Sequence, residues 1–157
     1  MTSKPEFTPY TERQERFGEW FIKNLGRMQV RVYEWTGGRV WNRFLGAPCA
    51  ILTTTGRRSG KRRKVPLLFM EDGDRVVMVA SKGGMSKAPV WYHNLCANPE
   101  AEIQIGGRKR RMVAREATPD EESELWPRLD AIYPNYAEYR ARCEGVRHIP
   151  VLIFEPA

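Results

Sequence analysis

The sequence predicts a single α+β domain, in which about six mostly antiparallel strands are flanked by helices. Its 157 residues suit one hydrophobic core. Apolar residues recur at helical spacing before Thr36 and at strand spacing after Pro48. Most predicted strands follow one another across short turns rather than alternating with helices, which favours antiparallel pairing. About six such strands are enough to close a small barrel.

A long amphipathic helix is predicted between Thr11 and Thr36. Its apolar side chains recur at steps of three or four: Phe17, Trp20, Phe21, Leu25, Met28, Val32 and Trp35. A second, shorter helical turn is predicted over residues 39–46. We expect the aromatic stripe to pack over the core or as a lid, and contact with a membrane surface is the alternative, because basic residues accompany the aromatic ones.

The rest of the chain reads as strands with three further helices. Strands are predicted at 50–55, 65–71, 75–81, 101–106, 108–117 and 149–156. The helices begin near Pro89, at a capping box of Thr118 and Glu121, and at Pro134. Pro127 lies inside the second of these, so we expect a kink or a short break there. Residues 1–47 form an N-terminal part with a tail and amphipathic helices, and residues 48–157 form the strand-rich part of the same domain.

Positive charge is concentrated in one segment. The chain has 26 Lys and Arg against 19 Asp and Glu, and six of these cations lie in RRSGKRRK, residues 57–64. Such a segment repels itself unless it is solvated or occupied by anions. A solvated loop, an anion site and a nucleic-acid site are all compatible with it. Because the segment contains no aromatic residue, we expect no nucleic-acid partner.

Several classes of chemistry lack their motifs. The three cysteines and two histidines form no metal-ligand cluster, so we expect no metal. A GxGxxG or P-loop motif, a Ser-His-Asp order and HExxH are also missing from the sequence. No apolar run approaches the length of a membrane span, and no signal-peptide pattern is present. We expect a cytoplasmic protein, with peripheral contact with the inner face of the membrane as the alternative.

Three further stretches carry polar groups suited to a site. In SKGGM, Gly83 and Gly84 allow the backbone to approach a flat ligand, and Ser81 offers a hydroxyl at a strand end. VWYHNL, residues 90–95, offers an indole and an amide, although such side chains also pack in cores. YPNYAEY, residues 133–139, repeats a tyrosine at every third position, and phenols can line an apolar pocket while donating a proton.

Taken together, these segments resemble the deazaflavin-dependent nitroreductase family, the actinobacterial reductases that use coenzyme F-420. The resemblance extends over about residues 48–156 and rests on the order of ILTTTGRRSGKRRKVPLLF, VVMVASKGG, PVWYHNLCANPE, LWPRL, YPNYAEY and IPVLIFEP. It implies a split β-barrel with a cofactor groove. It also implies a small-molecule electron acceptor such as a quinone, an enone or a nitroaromatic, to which reduced F-420 delivers a hydride.

The resemblance also implies site residues. Those expected to hold the phosphate and γ-glutamyl tail are Arg57, Arg58, Ser59, Arg63 and Lys64. Those expected along the deazaflavin ring are Val65, Pro66, Leu67, Leu68, Ala80, Ser81, Lys82, Val90, Trp91, Tyr92, His93 and Asn94. Those expected on the substrate side are Tyr133, Tyr136 and Tyr139. Lys61 and Arg62 add cations to the family pattern, and their role stays open.

Ser81 and Tyr136 are the predicted catalytic residues, because a hydroxyl on each wall can hydrogen-bond the acceptor oxygen or supply a proton. The nearest alternative is an FMN- or haem-binding protein on the same barrel, and a basic nucleic-acid-binding module is the more distant one. We expect a monomer, since the long N-terminal helix can cover an edge that relatives use to dimerise.

Overall fold

The computed structural model describes residues 7–44 and 46–157. Within them, the helices are α1 Glu12–Trp35, α2 Val90–Ala97, α3 Pro119–Ile132 and α4 Asn135–Cys143. The strands are β1 Arg43–Phe44, β2 Ala47–Thr55, β3 Arg62–Leu68, β4 Met70–Asp72, β5 Arg75–Val79, β6 Glu100–Ile105, β7 Arg108–Glu116 and β8 Val151–Pro156. A single 3-10 turn, Lys82–Gly84, follows β5. The predicted α+β class is confirmed.

All the strand pairs are antiparallel, and the sheet curls into a half-barrel. Its order is β1-β2-β6-β7-β8-β5-β4, and β3 pairs with β2. In the described part of the chain, strand β3 therefore has one hydrogen-bonded neighbour, and no strand pairs with its other edge. Pro66 lies within β3, which fits an edge strand because proline has no N–H to donate to a second neighbour.

Apolar side chains cover both faces of this sheet. Inside the curve, one cluster combines strand residues such as Val76, Met78 and Phe154 with Trp91 and Leu95 of α2. Outside it, a second cluster combines Val77, Val79 and Ile153 with Leu125, Leu129, Tyr133 and Tyr136 of α3, α4 and the bend between them. Because successive side chains of a strand point to opposite faces, β5 contributes to both clusters.

Helix α1 lies over β2 and the open edge of β3. Val30 and Tyr33 pack with Ile51, and Gly26 approaches Pro66 so closely that a Cβ there would lie 3.5 Å from the proline ring. The Tyr33 hydroxyl accepts a hydrogen bond from the Gly106 N–H (2.8 Å) and donates to the Cys49 carbonyl (3.2 Å). Burial raises the pKa of Tyr33, so this phenol stays protonated.

The aromatic stripe of α1 does not pack as predicted. The helix itself is confirmed, and the Thr11 capping box begins it. Five stripe residues are exposed, however: Phe17, Trp20, Phe21, Met28 and Trp35. The packed face carries Gly26, Gln29, Val30 and Tyr33 instead, because glycine lets the helix approach β3 closely and the two polar side chains find hydrogen-bond partners.

One further local prediction was wrong, and the break that was expected as one alternative at Pro127 is absent from α3. The segment 39–46 contains turns and the short strand β1 rather than a helix, and Leu45 lies outside the described residues. The left-handed residues Gly37 and Gly38 reverse the chain, so β1 can pair with β2. Helix α3 runs unbroken through Pro127. Both Pro127 and Ser123, whose carbonyl loses its helical partner, are exposed to water, which reduces the penalty for the missing hydrogen bond.

No helix within the described residues is long and apolar enough to cross a bilayer.

We expect Tyr33→Phe to lower the free energy of unfolding by about 2 kcal/mol, because it leaves the buried Gly106 N–H and Cys49 carbonyl without a partner. Urea unfolding measures this change. Tyr92→Phe is the control, since its hydroxyl contacts Glu116 at the exposed surface, and its effect should stay within about 0.5 kcal/mol. Equal losses in the two variants would contradict the role given to Tyr33.

Candidate functional site

The basic segment forms a compact turn that directs its charges outward. Its backbone is closed by two hydrogen bonds, from the Gly56 N–H to the Lys61 carbonyl (2.7 Å) and from the Gly60 N–H to the Gly56 carbonyl (2.8 Å). The Ser59 hydroxyl accepts from the Lys61 N–H (3.2 Å) and faces the Arg63 guanidinium at 3.5 Å. Every residue from 57 to 64 is exposed. The turn thus holds its own backbone and leaves its cations available.

Most cations of this turn have no carboxylate partner. Lys64 pairs with Glu34 of α1 at 2.5 Å, and Arg62 with Glu102 of β6 at 3.5 Å. Among the described residues, no carboxylate lies within 4 Å of the remaining four, Arg57, Arg58, Lys61 and Arg63. The uncompensated charge suits a ligand that carries several anionic groups, because arginine forks bind phosphate and carboxylate oxygens bidentately. The pairing with Glu102 gives Arg62 a partner that the sequence did not reveal.

Asn94 connects this turn to helix α2. Its side chain is buried, donates to the Thr54 hydroxyl (3.1 Å) and accepts from the Arg57 N–H (3.1 Å). The buried amide thus fixes the point at which the basic turn leaves β2. Through these bonds it acts on backbone geometry, and the ring contact that the resemblance implies stays a prediction.

The other predicted residues of α2 have different surroundings. Trp91 is buried in the barrel cluster, whereas Val90 is exposed. The Tyr92 hydroxyl bonds to Glu116, and its ring lies 5.5 Å from that of His93, centroid to centroid. The carboxylate of Glu116 accepts this hydrogen bond and raises the pKa of Tyr92. Helix α2 therefore closes one end of the barrel and presents only part of its surface to the outside.

The predicted residues of β3, and Ala80 directly after β5, differ in burial. Val65, Pro66, Leu67 and Leu68 are half-buried, and Ala80 is fully buried. Val65 and Leu67 pack on the inner cluster, whereas Leu68 packs on the outer one. Strand β3 thereby alternates between the barrel interior and the face where the tyrosines lie.

The turn after β5 adopts an uncommon backbone conformation. Lys82, Gly83 and Gly84 have φ values of 46°, 64° and 81°, in the left-handed region. A Cβ at Gly84 would lie 3.1 Å from the Tyr139 Cα, so both the conformation and the close approach of α4 favour glycine there. This conformation brings the turn that carries Ser81 against the helix that carries the predicted substrate-side tyrosines.

The side chain of Arg147 is hydrogen-bonded to the backbone of this turn. Its guanidinium donates to the carbonyls of Met85 (2.9 Å), Ala80 (3.2 Å) and Ser81 (2.8 Å). Burial lowers the pKa of Arg147. Sequence reasoning missed this residue, because an arginine that binds carbonyls has no partner recognisable by residue type.

Helix α1 contacts the same turn from the other side. The Glu15 carboxylate accepts from the N–H (2.7 Å) and hydroxyl (2.8 Å) of Ser86, and Glu19 pairs with Lys82 at 2.5 Å. Although burial opposes it, hydrogen bonding from Ser86 lowers the pKa of Glu15. Near the other end of α1, Glu34 pairs with Lys64 of the basic segment. Helix α1 therefore contacts both turns, through Glu19 and Glu34, which lie about 22 Å apart along its axis.

The three predicted tyrosines form one cluster. The hydroxyls of Tyr133 and Tyr139 lie 2.9 Å apart, and the Asn135 amide donates to Tyr133 (3.2 Å). The ring centroid of Tyr136 lies 5.0 Å from that of Tyr133. Burial raises the pKa of Tyr136, so its phenol stays protonated in neutral solution. The structure therefore brings Tyr133, Tyr136 and Tyr139 together, next to the turn that follows Ser81.

Comparison with known proteins supports the family resemblance drawn from the sequence motifs. The family model described as "F420H(2)-dependent quinone reductase" matches residues 25–156. A reductase of this name from Mycobacterium tuberculosis is 35% identical over 142 residues, which cover 85% of this chain and 94% of that protein.

Two solved structures are also similar. An F420-H2 dependent reductase is 42% identical with a TM-score of 0.64, covering 72% of this chain and 98% of its own. A structure described as a domain-swapped dimer is 38% identical with a TM-score of 0.65, covering 87% and 98%. The match of the family model over most of the sequence, together with these similarities, shows that the chain belongs to the F420H(2)-dependent quinone reductase family.

Proposed function

We propose that the chain is an oxidoreductase in which bound, reduced F-420 supplies a hydride to an electron-poor acceptor of the quinone type. The observation that carries the proposal is the placement of two turns against the same helix, α1: the uncompensated cationic turn near Glu34, and, near Glu19, the turn after β5, which packs against the helix of the tyrosine cluster. A long ligand with an anionic tail and a flat ring needs both features. Family membership supports the proposal, since relatives are named for this activity.

We propose that the basic turn binds the anionic tail of F-420. Arg57, Arg58 and Arg63 make no ion pair with the described residues, so their charge is available for phosphate and carboxylate groups. Ser59 and the backbone of the turn add hydrogen-bonding groups. Lys64 and Lys82 already pair with carboxylates of α1, so we assign them a smaller share of the binding energy.

Ser81 and Tyr136 are the proposed partners of the acceptor oxygen. The turn and α4 are in contact through Gly84 and Tyr139, which places the two hydroxyl-bearing elements side by side. A phenol that stays protonated can donate a hydrogen bond or a proton to an oxygen as negative charge develops on it. The buried ring of Tyr136 also keeps water from the reacting atoms.

The purified protein should oxidise F-420H2 when menadione is present. NADPH and reduced FMN, each offered separately, should give at most background rates, because the cationic turn matches an extended anionic tail. Absorbance of the deazaflavin at fixed menadione concentration measures the reaction. No turnover with F-420H2, or turnover with NADPH alone, would overturn the proposed function; turnover with FMN would favour the FMN-binding alternative.

Ser81→Ala and Tyr136→Phe should each lower kcat/KM for menadione by about tenfold or more, since each removes a hydrogen bond that strengthens as charge develops. Stopped-flow or steady-state assays measure this loss. Ser123→Ala is the control, because its hydroxyl is exposed on α3 and bonds to the Pro119 carbonyl of the same helix. The assignment fails for either residue whose variant keeps the wild-type value.

Replacing Arg58 and Arg63 together by Gln should raise KM for F-420H2 at least tenfold and leave kcat within about threefold, because the tail contributes binding rather than chemistry. The matched control replaces Arg108 and Lys109, which are exposed cations of β7, by Gln. It tests whether net charge alone matters. A similar rise in KM in both double variants would show that the basic turn does not bind the tail specifically.

We also propose that α1 contacts the membrane surface from its outer face. Exposed Phe17 and Phe21 lie in ring contact, and Trp35 is 87% exposed. Exposed cations flank this stripe along the helix: Arg13, Arg16, Lys23, Arg27 and Arg31. An aromatic stripe with basic flanks suits an interface with anionic lipid headgroups.

Because α1 covers the β3 edge within one chain, a monomer is the assembly that we propose.

Sedimentation with vesicles of phosphatidylglycerol and phosphatidylcholine tests this contact. The wild type should co-sediment at low salt, and replacing Phe17 and Phe21 together by Gln should weaken binding by about tenfold or more. Val146→Gln, at an exposed apolar residue far from α1 in sequence, is the control. Equal binding of the wild type and the double variant, or no binding at low salt, would rule against the membrane contact.

A further inference from the structure

We propose that Arg147 is a positioning residue for the reaction, which holds the turn from Ser81 to Met85 in its working conformation. The inference rests on the proposed function and adds a residue that neither the sequence motifs nor the comparisons assign. Arg147 acts through the turn rather than by touching the ligand, since its donors are used on backbone carbonyls.

The geometry of the guanidinium carries the first step. Its Nε donates to the Met85 carbonyl, whereas its two Nη atoms donate to the carbonyls of Ala80 and Ser81. These acceptors lie at the two ends of the left-handed turn. A planar fork that bridges both ends fixes their separation and the orientation of the peptide groups on either side of Ser81.

The turn needs such a constraint. A left-handed conformation is unfavourable at a residue with a side chain, and Lys82 has this conformation beside two glycines, which are free to adopt others. The internal hydrogen bonds of the turn are few, from the Gly84 N–H to the Ser81 carbonyl (2.9 Å) and from the Met85 N–H to the Lys82 carbonyl (3.2 Å). Without the guanidinium, the backbone of the turn would sample a wider range of φ and ψ angles.

Arg147 also ties the turn to the tyrosine helix. The backbone N–H of Arg147 donates to the Cys143 carbonyl at the end of α4 (3.0 Å), and the Cys143 thiol donates to the Gly84 carbonyl (3.3 Å). Ser81 and Tyr136 therefore belong to elements joined by the same short segment. A shift of the turn changes the distance between the two hydroxyl groups that we assign to the acceptor oxygen.

The effect of removing Arg147 should stay local. Glu15 and Glu19 of α1 hold the opposite side of the turn through Ser86 and Lys82. The hydrophobic clusters on the two faces of the sheet do not include Arg147. The fold should therefore persist in an Arg147 variant while the turn becomes less ordered.

Amide hydrogen exchange on the ligand-free protein is the first measurement. Arg147→Met should speed exchange at Gly84 and Met85 by about tenfold or more. Arg147→Lys should do so nearly as much, because one ammonium group cannot bridge three carbonyls. Arg140→Met is the matched control: Arg140 lines the same cavity as Arg147, but its guanidinium pairs with Asp130 and covers the Trp126 ring instead of bonding to the turn. Unchanged exchange in Arg147→Met overturns the proposal.

Kinetics provide the second measurement. Arg147→Met should lower kcat with menadione by about tenfold or more, whereas the Kd for F-420 should stay within about threefold, because the tail grip is remote. Wild-type kinetics in Arg147→Met, a full recovery in Arg147→Lys, or the same loss in Arg140→Met would each overturn the inference. A wild type that does not oxidise F-420H2 removes the proposed function and the kinetic role together, whereas an active wild type with an unaffected Arg147→Met removes only the inference.

Discussion

The free edge of β3 is the constraint on which the rest of the structure depends. Among residues 7–44 and 46–157, every other long strand of the barrel has hydrogen-bonded neighbours on both sides, whereas β3 is paired with β2 alone. An unpaired edge of this length invites association with other strands unless something covers it. Helix α1 provides the cover, with Gly26 against Pro66 and Tyr33 anchored to two backbone groups of the sheet. The position of α1 then determines which turns come together beneath it.

Charge is distributed unequally between the two ends of that helix. At one end, Glu34 meets a single lysine of a turn in which four other cations lack a carboxylate partner among the described residues. At the other end, Glu15 and Glu19 bond to the turn after β5, which Arg147 supports from behind. One end is therefore suited to binding an anionic group, and the other to fixing the geometry of hydroxyl groups. The function that we propose for the chain requires both properties.

Sequence reasoning was most successful for features with local causes. The start of α1 near Thr11, the capping box at Thr118, the hairpins and the tyrosine repeat all follow from residues a few positions apart. The spacing of the α1 stripe was also correct, but a period specifies which residues share a face and not which face packs. Glycine and polar residues decided that question, through contacts with Pro66 and the β6–β7 turn. Arg147 escaped prediction for the same reason, and so did the hydrogen bonds of Asn94 to Thr54 and Arg57, since these partners are backbone groups or residues distant in the chain.

The place of β8 in the sheet has a consequence for how the chain is made. This strand lies between β5 and β7, and it supplies Leu152 and Phe154 to the inner cluster and Val151 and Ile153 to the outer one. A ribosome synthesises it after all the other strands. The hairpins of β4–β5 and β6–β7 can form early, but until β8 emerges each leaves a strand edge and apolar surface uncovered. Closure of the barrel is thus a late event, and the nascent chain depends on protection from aggregation until its last strand is available.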